Sequence, residues 1–550
     1  MSKKFKVLSS VVFLLFAFLL NIAYGNPLLE VIPGKVIAVL ELKDAELIKN
    51  LSELDMVSLI PEGEEGSETE NYKMTREEVK EELGFDILDP LFLENIFSGG
   101  AVLSCLGVSV GGVPEVLLVI SPSDSHVFSR FVGYIEGKND LKEEVSSYKG
   151  IDIVSIILPE DLDLEPLETI SYAFLGNALV IGGNLSPVKR AIEVFQGESN
   201  FLIKNLEYKE LKVKTSEKVE SSSFFFCLFS EELRQALDEL VEVVEEEELV
   251  KALKDFRDSL EGIGILSGAG GYQEKQFKAY IMAYMPEKYL DMLKYVDIGN
   301  IQSLSMFPKN TFFYLVALLP LTWEEIKEDF ISGEIQVGLE KNFKQVQKKI
   351  GIDIEKVIYS WPVKEFSLGL FDTSAIFPKV GLIIGYTSEE TLTQNLYPAL
   401  EQFAPKLGGP LVDNQYEGIN YKSIPNPLFP LGYGIVGDRF VLSSCIANII
   451  DAQRGDLATL DKLEGIKYML SFPKVISLLY IDMNSVTEIV SRFMQMAAQS
   501  MPEGAEETEG VKRKETLDVI LEGLSSLNNI LLWAGIEEDY SYAWLEVNYK

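Results

Sequence analysis

The side chains able to do chemistry are few and poorly grouped. His126 is the single histidine among 550 residues. Histidine-cluster zinc sites and two-histidine metal motifs are therefore excluded. A Ser-His-Asp triad would have to use His126, which stands in Ser125-His126-Val127 at an expected helix start. A solvated or capping role accounts for it there, and no Gly-x-Ser-x-Gly elbow occurs in the chain. Ser267-Gly268-Ala269-Gly270-Gly271 is glycine-rich but lacks the Lys-Ser/Thr of a phosphate loop. It leads into a strand pattern and is expected to be a hairpin turn. Asp161-Leu-Asp163-Leu-Glu165 alternates carboxylates as a calcium loop does. It lacks the following glycine and the closing bidentate glutamate, and reads as a solvated segment. The run from Glu245 to Glu248 reads as the wet face of a helix. Among 85 acidic residues some pair will approach in space, so carboxylate catalysis stays open as a reading, with no local motif behind it.

Cys105, Cys227 and Cys445 are an odd set with no CxxC pair. An exported chain could form one disulfide from them. Each lies in an apolar, strand-like run, and the three are expected to be buried free thiols. No catalytic, cofactor-binding or metal residue is assigned, and neither enzymatic activity nor a cofactor is expected.

The elements that would have to position any site come in two sets. Tyr172-Ala-Phe-Leu-Gly176-Asn177 returns as Tyr433-Gly-Ile-Val-Gly437-Asp438, and Tyr148-Lys-Gly150-Ile-Asp152 as Tyr416-Glu-Gly418-Ile-Asn420. Pro114-Glu-Val-Leu-Leu-Val-Ile matches Pro378-Lys-Val-Gly-Leu-Ile-Ile, and Gly84-Phe-Asp86-Ile matches Gly351-Ile-Asp353-Ile. Gly271-Tyr-Gln-Glu274 matches Gly535-Ile-Glu-Glu538. Five pairs in one order at nearly one offset indicate a tandem duplication, residues 33–288 and 307–550. In each copy β-rich runs mix with short helices, without strict β-α-β alternation. The expected class is α+β: two similar units of mostly antiparallel sheet covered by amphipathic helices.

Leu233, Leu237, Leu240, Val241 and Val244 fall on one helical face. Leu249, Leu253, Phe256 and Leu260 continue the stripe with a phase shift, and Ser230 is placed to cap its start. Such stripes could be core or could line a cavity, with core the ordinary reading. Residues 61–72 and 499–515 are polar and are expected to be loops.

Lys3, Lys4 and Lys6 precede an apolar run from Val7 to Leu20, and Ala23-Tyr24-Gly25 follows. Residues 1–25 read as a secretory signal cleaved after Gly25, with an uncleaved anchor as the alternative. No cysteine stands near that point, which excludes a lipoprotein anchor. Phe312 to Leu319 is too short to span a bilayer and runs into Pro320 and Glu324-Glu325. The formal charge, 49 basic against 85 acidic residues, is −36. That argues against nucleic acid and anionic lipid as partners.

The turns resemble those of the bacterial DUF3352 family, a domain of unknown function. The resemblance rests on Pro308 with Phe312-Phe313-Tyr314, on Gly351-Ile-Asp353-Ile, and on Gly437-Asp438-Arg-Phe-Val. Copy one carries Pro33, Gly84-Phe-Asp86-Ile and Gly176-Asn177, and lacks the tryptophan found at Trp361. The resemblance implies an exported or envelope-associated protein with no established reaction. The leading expectation is an exported, non-catalytic cell-envelope protein, structural or binding, that lies outside the cytoplasm (periplasmic or secreted). Its partner would be an envelope protein or a hydrophobic ligand. The alternatives are a carrier of hydrophobic ligands in a sheet-helix groove and a carboxylate-dependent hydrolase.

Overall fold

Strands form where β-branched and aromatic residues alternate between a packed and a less packed face. Thr311-Phe-Phe-Tyr-Leu-Val-Ala317 is an example. Phe312, Tyr314 and Val316 are buried while Leu315 between them is 36% exposed. A computed structural model describes residues 26–43, 97, 99–109, 113–122, 142–157, 169–219, 222–244, 247–260, 264–284, 301–318, 344, 348, 363–374, 377–386, 390, 392–407, 409–426, 430–472, 474–500, 524–537 and 540–550. His126, Asp161, Asp163, Glu165, Trp361, both Gly-x-Asp turns, residues 61–72 and 501–515 of the two polar loops, and residues 1–25 lie outside these, while Gln499 and Ser500, expected in the second loop, end a helix, Met483–Ser500. The chain is α+β with antiparallel pairing and divides into two units, Met1–Tyr284 and Met285–Lys550.

Unit one contributes β1 (Ala38–Leu42), β2 (Ala101–Val108), β3 (Pro114–Ile120), β4 (Lys142–Tyr148) and β5 (Ile151–Ile157). It continues with β6 (Thr169–Leu175), β7 (Ala178–Gly182), β8 (Phe224–Phe229), β9 (Ile265–Gln273) and β10 (Gln276–Tyr284). Their order is β10-β9-β8-β1-β2-β3-β7-β6-β5-β4, antiparallel throughout. Helix α1 (Leu185–Phe195) is capped by Asn184 and seats buried Val188, Ala191 and Ile192. It packs on β3, β6 and β7. Helix α2 (Leu206–Lys218) is capped by Asn205, whose Oδ1 accepts from Tyr208 N at 3.2 Å. Tyr208, Leu211 and Thr215 are its buried face, and Tyr208 meets Phe225 of β8 edge-on at 5.6 Å.

Unit two contributes β11 (Thr311–Ala317), β12 (Val363–Phe371), β13 (Lys379–Tyr386), β14 (Val412–Tyr416) and β15 (Ile419–Ile424). It continues with β16 (Leu431–Val436), β17 (Arg439–Ser443), β18 (Val475–Asp482), β19 (Leu527–Glu537) and β20 (Tyr540–Tyr549). Their order is β20-β19-β18-β11-β12-β13-β17-β16-β15-β14, again antiparallel. Position for position this is the order found in unit one. The tight turns agree as well. Lys149-Gly150 and Glu417-Gly418 both take positive φ at both residues, the type I′ pattern. Gly176 and Gly437 each open a two-residue loop at φ 63. At each β4–β5-type turn the preceding tyrosine reaches a helix acid: Tyr148 donates to Glu193 at 2.6 Å and Tyr416 to Asp451 at 3.2 Å.

Four sequence expectations are corrected. Ser267 to Gly271 is no turn but the middle of β9, and the chain reverses at Glu274-Lys275. The glycines serve close packing: Phe226 and Phe224 of β8 lie across from Gly268 and Gly270. A Cβ on Gly270 would stand 2.5 Å from Phe224 Cζ. Ser230 does not cap α3 (Ser230–Val243). It is the first helical residue, and its hydroxyl donates to the Gly264 carbonyl. The helical stripe is not continuous. The chain turns extended at Val244 before α4 (Glu247–Ser259), where Phe256 is 51% exposed. The fourth concerns the cysteines: all three are free, but only Cys227 is fully buried. Cys445 leads into a helix instead of lying in a strand. Cys105 and Cys227 flank β1 from opposite sides, opposite Ala38 and Val39 respectively. Adjacent strand residues point to opposite faces, so these two thiols cannot bridge.

Candidate functional site

One row of side chains runs across the strands of each unit. In unit one it reads Val145, Val154, Tyr172, Ile181, Leu118, Leu103, Leu40, Phe226, Gly268, Ile281, from β4 to β10. Directly paired residues share a face, so this is one continuous apolar stripe. The same row in unit two reads Asp413, Lys422, Tyr433, Leu442, Leu382, Leu368, Leu315, Leu479, Leu532, Leu545. It is apolar from Leu442 onward. At the β14–β15 end Asp413 and Lys422 stand where unit one has Val145 and Val154.

At that end lies an open cleft of about 590 Å³. It is lined by Tyr397, by Asp413, Asn414 and Gln415 of β14, by Asn420, Tyr421 and Lys422 of β15, and by Tyr433 and Gly434 of β16. Tyr397 opens helix α5 (Tyr397–Leu407), directly after a π-helical turn, Leu392–Leu396. Such turns are frequent at functional sites. Lys422 Nζ reaches Glu401 of α5 at 2.6 Å, and this hydrogen bond raises the pKa of the lysine. The Tyr397 and Tyr433 rings meet edge-on, with centroids 5.4 Å apart. Below them Ile384, Leu392, Leu396 and Phe440 form the core against which Tyr433 is packed.

Tyr433 is 1% exposed, and its hydroxyl has no hydrogen-bond partner among the described residues. Burial raises its pKa, with Glu401 acting in the same direction, so the group stays a neutral phenol. A buried hydroxyl without a partner costs free energy that most native polar groups avoid. The cleft thus offers two tyrosine rings, planar amides, one carboxylate and one ammonium already engaged by Glu401. That set can hydrogen-bond and stack on a ligand. It has no nucleophile paired with a base.

A second polar cluster in unit two looks more like catalytic machinery. Ser303 Oγ and Tyr314 OH are 2.6 Å apart, and Ser367 Oγ donates to Ser303 Oγ at 2.6 Å. Glu365 Oε1 accepts from Ser303 N at 2.9 Å, and Arg439 Nη2 lies 3.4 Å from Glu365 Oε2. Ser303, Ser367 and Tyr314 are wholly buried, and burial raises the Tyr314 pKa. This network ties the helical turn at Ser303 to β11 and β12. In unit one, burial raises the pKa of Glu41 against the pull of Lys212, which pairs with it. Its cross-strand neighbours Val102 and Phe225 are buried. Among the described residues no group of three or more His, Cys, Asp or Glu is placed to hold a metal ion. No described helix is long and apolar enough to cross a membrane.

Sequence reading assigned no site residue, and Tyr433 entered it only as a repeat marker. A usable signal was nonetheless there. Extending the Tyr148/Tyr416 pairing three residues back sets Val145 against Asp413, and four residues past the glycines Val154 stands against Lys422. At those two positions unit one has valines and unit two an acid and a base.

No curated protein matches the chain. A solved structure titled "Structure of crystal form I of TP0453" aligns with a TM-score of 0.25 at 10% identity, over 48% of this chain and 84% of that one. A score that low carries no argument. The family model described as "Protein of unknown function (DUF3352)" matches residues 101–508. That span runs from β2, across the cleft strands β14–β16, to just past the helix that follows β18, and the chain belongs to the DUF3352 family.

Proposed function

We propose that this protein is an exported, non-catalytic binding protein of the cell envelope, and that its ligand site is the unit-two cleft between α5 and β14–β16. The observation that carries the reading is that Asp413 and Lys422 stand at the sheet positions where unit one has Val145 and Val154, beside a buried phenol with no hydrogen-bond partner among the described residues. We also infer that the chain is a tandem duplication of residues 33–288 and 307–550, one copy of which kept an apolar face while the other acquired polar groups. The shared strand order and turn geometry support that history. Export rests on residues 1–25 and their resemblance to a cleaved signal.

The test is twofold. Expressed in full in a bacterial host, the chain should be recovered outside the cytoplasm with Asn26 as its first residue. Purified protein should gain thermal stability from a component of an envelope extract, since a ligand that binds only the native state raises Tm. The double variant Asp413→Val with Lys422→Val should lose that gain. Recovery in the cytoplasm with residues 1–25 intact would end the export reading. A stabilisation indifferent to the double variant would end the cleft assignment.

A second reading is a carrier of hydrophobic ligands. It draws on Leu315 and Leu532, which remain 36% and 39% exposed on the apolar row of unit two. Displacement of a bound fluorescent fatty acid, insensitive to the cleft variants, would favour it.

A further inference from the structure

We propose that the unit-two cleft takes a neutral saccharide; this rests on the reading of that cleft as a ligand site and names what it binds. A pyranose presents two kinds of surface: patches of C–H that pack on the electron-rich face of an aromatic ring, and hydroxyls that donate and accept at once. Both surfaces find partners here. Tyr397 and Tyr433 line the cleft together from α5 and β16. Gln415 and Asn420 face each other across β14–β15, each able to donate and accept in one plane, and Asp413 adds acceptors.

The Tyr433 hydroxyl is the second observation. It is buried, neutral and without a partner among the described residues, at the wall of this cleft. A phenol that can both donate and accept suits a hydroxyl ligand, which has the same dual character.

The other ligand classes fit less well. A phosphate or carboxylate ligand would need an uncommitted cation, but Lys422 is held by Glu401 at 2.6 Å and stands opposite Asp413. An acyl chain would need a deep apolar tunnel, and this cleft is open and rimmed by amides. An extended peptide would be read mainly by backbone pairing along β14, which pairs with β15 alone among the described strands. Such pairing has no use for the rings. The cleft volume lies within the ~300–1,000 Å³ of small-ligand sites.

The experiment uses the full chain and isothermal titration with three neutral tetrasaccharides: cellotetraose, maltotetraose and chitotetraose. At least one should bind. Tyr433→Phe keeps the ring and removes the hydroxyl, and should weaken binding about tenfold, the scale of one hydrogen bond. Tyr397→Ala should remove detectable binding. Asp413→Val, at a surface position that unit one fills with valine, is the variant least able to disturb folding and should also weaken binding. Unchanged melting curves for Tyr433→Phe and Asp413→Val separate lost contacts from lost structure.

If none of the three sugars binds the native chain, the saccharide inference is overturned. In that event a tetrapeptide or a fatty acid whose binding falls in the Asp413→Val variant would leave the cleft a ligand site of another class. If that variant alters the binding of no probe, the cleft reading falls as well. Sugar binding indifferent to Tyr433→Phe and Tyr397→Ala would also overturn the inference, since the site would lie elsewhere.

Discussion

Single residues in this protein do their work through what faces them across a turn or a strand. Asp372 closes the turn after β12 at φ 60. Its carboxylate accepts from Lys379 at 2.5 Å and from Ser374 N at 3.1 Å. The hydrogen bond from Lys379 is the main cause that lowers its pKa from the ordinary 3.8 to about 2. A carboxyl whose folded pKa is depressed binds protons more readily in the unfolded chain. Its stabilising contribution is therefore fully present above about pH 4 and is lost as the pH falls through about 2. Urea unfolding across that window should show stability falling with acid, and Asp372→Asn should flatten this part of the profile. An unchanged slope in the variant would mean that the interaction with Lys379 does not depend on the charge. The buried serine network around Glu365 is a different case. Its groups are partnered to one another and buried, so its chemistry is spent on tying the turn at Ser303 to β11 and β12.

At the scale of elements, β8 and β9 explain why a glycine-rich stretch need not be a turn. Phe224, Phe225, Phe226 and Phe229 make β8 unusually bulky for a strand in mid-sheet. Glycines at 268 and 270 in β9 leave room for the two rings that fall on that side. The aromatic strand and the glycine strand are therefore one packing solution spread over two elements. Gly270→Ala would force a methyl into the Phe224 ring and should cost about 1–3 kcal/mol, the range for overpacking a filled core. Equilibrium urea unfolding measures it. The double variant Gly270→Ala with Phe224→Leu should recover part of the loss, because the ring is what the methyl meets. A neutral Gly270→Ala would show that β8 yields easily and that the glycine has another role.

For the whole molecule, the same ten-strand order occurs in Met1–Tyr284 and in Met285–Lys550. Each order begins at its own C-terminal hairpin and ends at its own β4–β5 type ribbon. Each unit also buries its own aromatic core: Tyr208, Phe225 and Tyr280 in unit one, Tyr314, Trp533 and Trp544 in unit two. Residues 26–284 and 285–550, expressed apart, should each fold and unfold cooperatively in calorimetry. A fragment that stays unfolded alone would mean that its sheet needs the other unit. The cleft and its rings belong to unit two, so the second fragment should retain whatever ligand the full chain binds.

Much of the fold was legible in the residues themselves because it is local. Alternation over five to nine residues marks strands such as β11 and β13, and the paired Tyr-x-Gly turns recur with their neighbours in order. The single histidine excluded two-histidine metal motifs before any geometry was known. Three matters were decided by tertiary structure. Whether Ser267 to Gly271 turns or runs straight depends on the rings of β8, which are distant in sequence. Whether Val244 continues a helix depends on where α3 and α4 find packing, and periodicity does not report that. The cleft exists only because α5 returns over β14–β16 and brings Tyr397 to Tyr433. Strand register, a long-range property, then sets Asp413 and Lys422 on the face below. Local pattern tells which face of a strand is apolar; only the register across ten strands tells what stands next to it.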